Sequence, residues 1–280
     1  MGTRVLIVGV STRAAAESAA CAGFDVTSIH GYADLDQHPS VRAIGLPGGF
    51  TMPAALEAAS HVACPHVSYL SGVEHWPHLL QRLTNGRRLW GNDSHVLVSV
   101  RDPYAVAAAC STKGFSVPAL DGQGEGSWLE KPVASGGGKG VRAWSRGDTR
   151  EPAHYVQQRI DGVPGSISFV AAGGRAAVLG MSLQLVGDPA FGASGYSYCG
   201  SILCASGDSA FEDEVRVFAT ACRLTDVIAD TFGLVGLNGS DFMASAGVPY
   251  PIEVSPRWSS WMELLERAHG ISVFGVLASG

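Results

Sequence analysis

Long apolar segments and targeting signals are scarce in this 280-residue chain. No stretch reaches the roughly 20 apolar residues that a membrane-spanning helix needs. The first residues, MGTRVLIVGVSTRAAA, lack the order of basic, apolar and cleavage regions of a signal peptide, and their apolar part, residues 5–10, has the length of a strand. We therefore expect a cytoplasmic protein with no membrane partner.

Basic clusters and cysteine pairs are also missing. The chain has 19 Lys and Arg against 25 Asp and Glu, a formal net charge of −6, and no basic run that would follow a nucleic-acid backbone. This excludes a dedicated nucleic-acid binder. The six cysteines include no C-x-x-C pair, and most stand among Ala, Val and Leu. We therefore predict free thiols in a reducing compartment rather than disulfides or a zinc site.

The chain divides into two halves whose sequence patterns predict different kinds of sheet. In the first half, RVLIVGV (4–10) and DVTSIHGY (25–32) flank an Ala-rich stretch, and this order of strand, helix and strand predicts a parallel α/β sheet. The loop after the first run, GVSTRAA, lacks the G-x-G-x-x-G spacing, which disfavours a dinucleotide-dependent oxidoreductase. After DGQGEG (121–126) the pattern changes to strands with hairpin-like connections and one long helix, which predicts an antiparallel α+β half.

A glycine-rich loop holds most of the chain's lysine. Only three lysines occur, and two of them, Lys131 and Lys139, lie in WLEKPVASGGGKGVRAW (128–144). This is not a Walker loop, because Lys139 is followed by Gly140 and not by Ser or Thr. Glycines between two strands let backbone N–H groups converge on an anion, and Lys139 would add positive charge. We interpret the segment as a phosphate-binding loop; a flexible hairpin loop is the alternative.

An acidic hairpin is predicted near the end of the chain. GLNGSDFMASAGVPYPIEVSPRW (236–258) places Asp241 and Glu253 on two strand-like runs around a turn. Facing carboxylates would repel unless a divalent cation lay between them, and Mg²⁺ is held by one or two carboxylates plus phosphate oxygens. Ser255 and Arg257 follow on the same face by the strand's period of two. We predict a metal and phosphate face; a solvated outer face is the alternative.

Taken in order, these segments resemble the ATP-grasp superfamily. The matching pieces are RDPYAVAAACSTKGFSVP, WLEKPVASGGGKGV, YVQQRIDG and DF…IEVSPR. The resemblance implies an α/β Rossmann-like N-terminal domain (1–98), followed by an α+β ATP-grasp domain with a small lobe (99–156) and a large lobe (157–280). It implies ATP and one or two Mg²⁺ ions between the lobes. It also implies activation of a carboxylate as an acyl phosphate, which an amine then attacks.

The resemblance assigns roles to individual positions. It implies that Lys131 contacts the α-phosphate and base side of the nucleotide. The implied phosphate lid is Ser135, Gly136, Gly137, Gly138, Lys139, Gly140 and Val141. The implied interlobe hinge, which would hold adenine, is Gln157, Gln158, Arg159 and Ile160. The implied Mg²⁺ ligands are Asp241, Glu253 and Ser255. The implied catalytic residues are Lys139 and Arg257, with Arg257 stabilising the transferring phosphoryl or acyl phosphate group.

Some positions depart from the family pattern. Ser255 stands where relatives carry Asn, Pro103 stands where many carry a phosphate-contacting Lys or Arg, and VPGS (163–166) replaces an expected ribose-binding Glu. These departures leave open a nucleotide-binding module without turnover. The segments RIDGVPGSISFVAAGG and GLNGSDF…IEVSPRWSSWMELLE resemble those of tyramine– or tyrosine–glutamate ligases, which make methanofuran-type cofactors. The implied partners are small carboxylates and amines, and a homodimer is left open.

Overall fold

The computed structural model describes residues 2–32, 34–204 and 210–278, which form three β-sheets with helices packed around them. The α-helices are α1 (Arg13–Cys21), α2 (Met52–Ser60), α3 (Pro77–Thr84), α4 (Ser94–Val100), α5 (Pro103–Thr112), α6 (Glu214–Phe232), α7 (Met262–His269) and α8 (Val273–Ala278).

The first sheet is parallel, with the order β3-β2-β1-β4-β5. Its strands are β1 (Arg4–Gly9), β2 (Asp25–His30), β3 (Arg42–Gly45), β4 (His66–Tyr69) and β5 (Arg88–Leu89). Residues 5–8 of β1 are fully buried, because helices cover both faces of a parallel sheet. The predicted strand–helix–strand unit is confirmed, since β1 pairs with β2 in parallel.

The two faces of the first sheet are covered by different parts of the chain. On one face Leu6 and Val8 pack against residues of α2 and α3. On the other face Val5 and Ile7 pack with α1 and with Phe274 of α8, so the end of the chain returns to its beginning. Residues 262–278, which the sequence groups with the large lobe, therefore lie against the first sheet.

The small sheet is antiparallel, with the order β7-β6-β8. Its strands are β6 (Trp128–Pro132), β7 (Arg142–Trp144) and β8 (His154–Gln158). Glu130 of β6 pairs with Arg142 of β7, with 2.8 Å between Glu130 Oε2 and Arg142 Nε, and Glu130 also accepts a 2.6 Å bond from Glu151 N. These two donors hold the pKa of the buried Glu130 carboxyl below its usual range. The pair fixes the base of the glycine-rich loop that joins β6 to β7.

The large sheet is also antiparallel, with the order β11-β10-β9-β12-β13. Its strands are β9 (Val163–Ala172), β10 (Arg175–Val186), β11 (Tyr198–Leu203), β12 (Gly236–Ser245) and β13 (Val248–Ser255). Helix α6 packs on one face through Val217, Ala221, Leu224 and Ile228, whose spacing of three and four residues places them on one side of the helix. The opposite face is shared between the candidate site and a cluster in which Val170, Leu179 and Leu237 pack with Met262 and Leu265 of α7.

Five of the cysteines, Cys21, Cys64, Cys110, Cys199 and Cys222, have free thiols in the structure, as predicted. Cys64 and Cys110 are buried and Cys21 is exposed. Burial raises the pKa of the Cys110 thiol to about 11, so this thiol stays protonated and unreactive near neutral pH.

Of the helices that the structure describes, none combines the length and the apolar character that a membrane span needs.

Candidate active site

A cavity of about 460 Å³ lies between the small and large sheets, within the size range of small-molecule sites. Most of the residues predicted from sequence as site residues contribute to its wall. They are Lys131, Ser135, Gly136, Gly137, Gly138, Val141, Gln157, Gln158, Arg159, Ile160, Asp241, Glu253, Ser255 and Arg257. Segments separated by more than a hundred residues in sequence therefore meet in one place.

The glycine-rich loop reaches across the cavity to the large sheet. Tyr198 N donates a 3.0 Å hydrogen bond to Gly137 O. Gly137 and Gly138 adopt left-handed backbone angles (φ 63° and 74°), and a Cβ atom built on Gly138 would overlap the carbonyl oxygen of Tyr196. Only glycine allows this close approach. The loop therefore docks on the segment that precedes β11.

Lys139 and Gly140 lie on the outer side of this loop. Both are exposed, and neither is among the residues of the cavity wall in the described chain. The backbone of Lys139 closes the loop, because its carbonyl accepts a 2.7 Å bond from Ser135 Oγ. The structure thus brings the glycines to the cavity and leaves the Lys139 side chain at its rim, and the catalytic role of Lys139 stays a prediction.

Lys131 points from β6 into the space between the sheets. Trp128 and Glu130 are buried on the other side of the strand, so the alternation of the strand turns Leu129 and Lys131 to the cavity. Lys131 Nζ donates to Gln157 Oε1 at 3.1 Å and to Ile252 O at 3.3 Å.

The charge of Lys131 is only partly compensated by its surroundings. Nζ lies 5.7 Å from the centroid of the Tyr155 ring, a cation–π distance. Burial lowers the pKa of the Lys131 ammonium, and the carboxylates of Glu253 and Asp241 oppose this effect. The ammonium therefore stands beside the acidic pair, where the phosphates of a ligand would relieve its desolvation.

The segment from Gln157 to Ile160 forms the edge of the cavity where β8 ends. Gln158 Oε1 accepts a 3.1 Å bond from Ala119 N, and Gln158 N donates to Ala119 O at 2.8 Å. Gln157 and Gln158 thus both use their amide oxygens within the protein. Their NH₂ groups remain the side-chain donors that a purine edge could use.

Asp241 and Glu253 lie directly opposite each other on β12 and β13. Phe242 packs under α6, so Asp241, next to it in the strand, faces the cavity. Burial raises the pKa of both carboxyl groups. Lys131 opposes this shift at Glu253, while the Asp241 charge adds to it. The predicted pairing of the two carboxylates on one hairpin is confirmed, and their role as metal ligands stays a prediction.

The pairing depends on a β-bulge. Ala246 and Gly247 form the turn with positive φ angles of 48° and 72°, as a two-residue hairpin turn requires. From this turn the register runs regularly to Phe242 opposite Pro251, and then β13 gains one residue, Ile252. The Ile252 carbonyl is the one that Lys131 bonds. The bulge therefore aligns the two carboxylates and also supplies an acceptor for the lysine.

Neighbouring strands support Asp241. Ser166 of β9 lies opposite Asp241 in the sheet, and side-chain hydrogen bonding from Ser166 and from Gln184 of β10 opposes the effect of burial on the Asp241 pKa. Ser166 Oγ in turn accepts a 3.1 Å bond from Trp261 Nε1. Because the indole can only donate, this chain orients the serine hydroxyl proton toward Asp241.

The donor set suits a hard divalent cation. Across the described residues, no group of three or more His, Cys, Asp or Glu side chains is placed to hold a metal ion. A carboxylate pair that relies on phosphate oxygens and water for its remaining ligands is typical of Mg²⁺ sites. Ser255, opposite Gly239 on the same hairpin, also borders the cavity and adds a neutral oxygen.

Arg257 is held by the first sheet. Its Nε donates to Glu74 Oε1 at 2.7 Å, and its Nη1 donates to Trp258 O at 2.9 Å. Burial opposes the charged form, but Glu74, Glu253 and Asp241 outweigh it and raise the pKa of the guanidinium. Arg257 is therefore a fixed positive charge on the wall of the cavity.

The structure adds residues that the sequence reasoning missed. Arg101, at the end of α4, borders the cavity and donates a 3.2 Å bond to Val133 O. The sequence did point to this region, because Arg101 stands two residues before Pro103, the position at which many ATP-grasp relatives carry a Lys or Arg. Glu74 gave no such signal, since its segment, GVEHW, matches no motif.

Comparisons with known proteins agree with this geometry. A family model described as ATP-grasp domain matches residues 100–260. An ATP-grasp superfamily protein from Archaeoglobus fulgidus has a TM-score of 0.71 and 18% identity, over 100% of this chain and 89% of that one. L-amino acid ligase from Bacillus licheniformis has a TM-score of 0.71 and 16% identity, over 99% of this chain and 73% of that one.

A third solved structure contains nucleotide. The biotin carboxylase domain of 2-oxoglutarate carboxylase from Hydrogenobacter thermophilus, in complex with MgADP, ADP and bicarbonate, has a TM-score of 0.75 and 14% identity, over 100% of this chain and 70% of that one. At these identities the likeness is one of fold. A search of curated proteins found no match.

Proposed function

This chain belongs to the ATP-grasp family, and on that premise we propose that it is an ATP-dependent carboxylate–amine ligase. It would form an acyl phosphate from a carboxylate and ATP, and then an amide by attack of an amine, with release of ADP and phosphate. One observation carries the proposal. The facing carboxylates Asp241 and Glu253 share a cavity with the cations Lys131, Arg101 and Arg257. This combination suits magnesium-bound phosphates.

The nucleotide would use groups from both sheets. We assign the adenine end to residues 157–160, and the phosphates to Lys131 and the docked glycine loop, residues 135–141. The left-handed glycines support this assignment, because a backbone free of Cβ atoms can approach an anion closely. Lys131 supports it because its ammonium already lies between the two sheets.

Magnesium would be held by Asp241 and Glu253, with Ser255 as a weaker third ligand, in one or two ions. When bound, magnesium would shield the phosphate charge. The raised pKa of both carboxyl groups supports this role, because a facing pair desolvated together favours a cation between them. Ser166 and Gln184 would keep Asp241 oriented for the ion.

The chemical steps need charge stabilisation more than covalent help from the protein. A carboxylate oxygen of the substrate would attack the γ-phosphorus, and ADP would leave with the electron pair of the broken P–O bond. The amine nitrogen would then bond to the acyl carbon, and phosphate would leave with the electrons of the C–O bond. Arg257 and Arg101 would stabilise the negative charge on the transferring group, and we assign Lys139 to the same charge from the rim.

A nucleotide-binding module without turnover is the second candidate. The replacement of Asn by Ser255 and the presence of Pro103 favour it. Arg101 weakens it, because this residue supplies a cation to the cavity wall from the same segment as Pro103.

ADP release measured against a panel of amino acids and amines separates the two candidates. We expect one pair to stimulate ADP release and to yield an amide whose mass equals the sum of the substrates less water. ATP binding without stimulation by any pair would favour the module. The panel includes glutamate with tyrosine and with tyramine, because the finer resemblance proposes that branch. If another pair reacts and these do not, the branch is wrong while the ligase proposal stands.

The proposal also covers the partners, the cellular location and the oligomeric state of the protein. We propose small-molecule partners only, a cytoplasmic location in keeping with the free thiols of Cys21, Cys64, Cys110, Cys199 and Cys222, and a homodimer as the assembly to test. Sedimentation of the purified protein at several concentrations would decide between monomer and dimer.

A further inference from the structure

Glu74 is a buried carboxylate beside the first sheet, and its side chain contacts Arg257 at the wall of the cavity. It lies in a short 3₁₀ helix (Val73–His75) after β4, and only 4% of its surface is exposed. Oε1 accepts the 2.7 Å bond from Arg257 Nε, and Oε2 accepts a 2.6 Å bond from Gly72 N. Both oxygens are thus used, one by its own turn and one by the arginine.

The turn that carries Glu74 is itself rigid. Gly72 has φ 102°, and a Cβ atom there would approach Val10 Cγ2 to 2.6 Å and Phe50 Cε1 to 3.1 Å. The turn is therefore packed tightly against residues that follow β1 and β3 in the chain. Because these strands are the centre and edge of the first sheet, the position of Glu74 is set by that sheet.

Two other residues near the first sheet hold the backbone beside Arg257. Tyr69 OH donates to Pro256 O at 3.2 Å, and Asn92 Nδ2 donates to the same oxygen at 3.0 Å. Asn92 also bonds Asn238 Oδ1 at 2.8 Å and Val235 N at 2.8 Å, which ties the contact to the start of β12. The backbone and the side chain at residues 256–257 are therefore both fixed from outside the large sheet.

Stability alone is a weak reason for such a pair. Burial would raise the pKa of the Glu74 carboxyl, but Arg257 and His75 outweigh it and lower the pKa, so the carboxylate is charged. Desolvation of two ions often cancels their attraction, and an apolar pair of similar size can be as stable. A buried ion pair does, however, fix the direction of the guanidinium.

We infer that Glu74 is a positioning residue for Arg257, assisted by Tyr69 and Asn92, so that the first sheet orients the guanidinium for phosphoryl and acyl transfer. The inference rests on the proposed function. Within the described chain, Glu74 and Trp258 O take two of the five N–H donors of Arg257, and the residue borders the cavity. The remaining donors are then available, in a fixed direction, to the charge that develops during transfer.

The first test is kinetic and compares Glu74→Gln with Glu74→Asp, and uses Glu57→Gln as control, because Glu57 is an exposed glutamate on α2. With the substrate pair found by the panel, or with basal ATP hydrolysis, we expect Glu74→Gln to lower kcat on the order of 10- to 100-fold. The Kd of ADP should stay within about twofold. Glu74→Asp, which keeps the charge, should recover part of the loss. Equal falls in kcat and ADP affinity would overturn the inference.

The second test does not depend on turnover. The Arg257 Nε proton, assigned by its loss in Arg257→Lys, is followed by ¹⁵N NMR through its exchange with water. We expect exchange about tenfold faster or more in Glu74→Gln, and no change in Glu57→Gln. Unchanged exchange overturns the positioning role even if the enzyme is active. A wild-type protein with slow exchange but no turnover would instead refute the ligase proposal.

A variant that keeps the buried charges covers the case in which Glu74→Gln fails to fold. Tyr69→Phe removes only the hydroxyl, whose single proton is shared between Asn92 O at 2.9 Å and Pro256 O at 3.2 Å. We expect kcat to fall about two- to fivefold with ADP affinity retained, as for loss of one hydrogen bond. Full wild-type kcat together with unchanged Arg257 Nε exchange in this variant would overturn the inference.

Discussion

Glu253 lies opposite Asp241 because strand β13 carries one extra residue, Ile252, between the regular hairpin register and the acidic pair. Without this bulge the count from the turn at Ala246 and Gly247 would place Ile252 opposite Asp241. The bulge thus creates the carboxylate pair and at the same time frees the Ile252 carbonyl for Lys131. Bulges often serve in this way to re-aim side chains beside active sites.

Glu253→Gln is expected to abolish magnesium-dependent turnover while the fold survives. Glutamine offers a neutral oxygen in place of a charged ligand, so we expect ADP release to fall on the order of 100-fold or more at saturating Mg²⁺. The raised pKa of Glu253 means that its charge is unfavourable in the empty protein. The Tm without Mg²⁺ should therefore not fall, while the rise in Tm on adding Mg²⁺ and ADP should be lost. Unchanged kinetics would refute the metal role.

Lys131→Ala is expected to weaken ATP binding strongly. A charge-assisted hydrogen bond contributes about 1.5–3 kcal/mol, which corresponds to roughly a 10- to 150-fold rise in Kd. Lys113→Ala is the matched control, since Lys113 is exposed and is the remaining lysine of the chain. Isothermal titration with a non-hydrolysable ATP analogue measures both. Equal dissociation constants for wild type and Lys131→Ala would count against the assignment.

The sequence predicted local elements well where the pattern is periodic. The long helix α6 shows its apolar spacing over nineteen residues, and α5 begins at Pro103, a residue suited to the first turn of a helix, with Asp102 as its N-cap. Strand β4 was not predicted, because its four residues are too few to establish a period and its partner β1 lies about sixty residues earlier in the chain.

The site was predictable only in part, for a related reason. Lys131, the glycine loop and the acidic hairpin carry their chemistry in contiguous segments. The bulge at Ile252 depends on the pairing of two strands, and the contact between Glu74 and Arg257 joins residues 183 positions apart. No local pattern encodes such a contact. It exists because three sheets pack together, so only the structure reveals it.

Glu263→Gln is expected to make stability less dependent on acid pH. Glu263 of α7 accepts a 2.7 Å bond from Arg13 of α1. Burial would raise the pKa of its carboxyl, but Arg13 and Arg267 outweigh it and lower the pKa. A carboxyl with a lowered folded pKa stabilises the protein above its unfolded pKa of about 4.3, and this contribution is lost as the pH falls through the folded pKa.

Urea unfolding of wild type and Glu263→Gln at several pH values measures this effect. We expect the variant to lose about 1–2 kcal/mol of unfolding free energy at pH 7. The difference should shrink as the pH is lowered below about 5. Glu57→Gln serves as the exposed control. A Glu263→Gln difference that stays constant from neutral to acid pH would contradict the assignment.

Gly138→Ala is expected to prevent the glycine loop from docking. At φ 74° an alanine is strained, and its Cβ atom would overlap Tyr196 O. Left-handed strain alone costs about 1–3 kcal/mol, so the KM for ATP should rise about tenfold or more. Gly136→Ala should weaken ATP binding much less, because its φ is not in the left-handed region and its Cβ would meet no atom within 4 Å.

Hydrogen exchange of residues 135–141 gives the direct measurement. In the wild type we expect an ATP analogue to slow exchange there, and in Gly138→Ala we expect that protection to be lost. Equal protection in both proteins would show that the loop closes without contact to Tyr196.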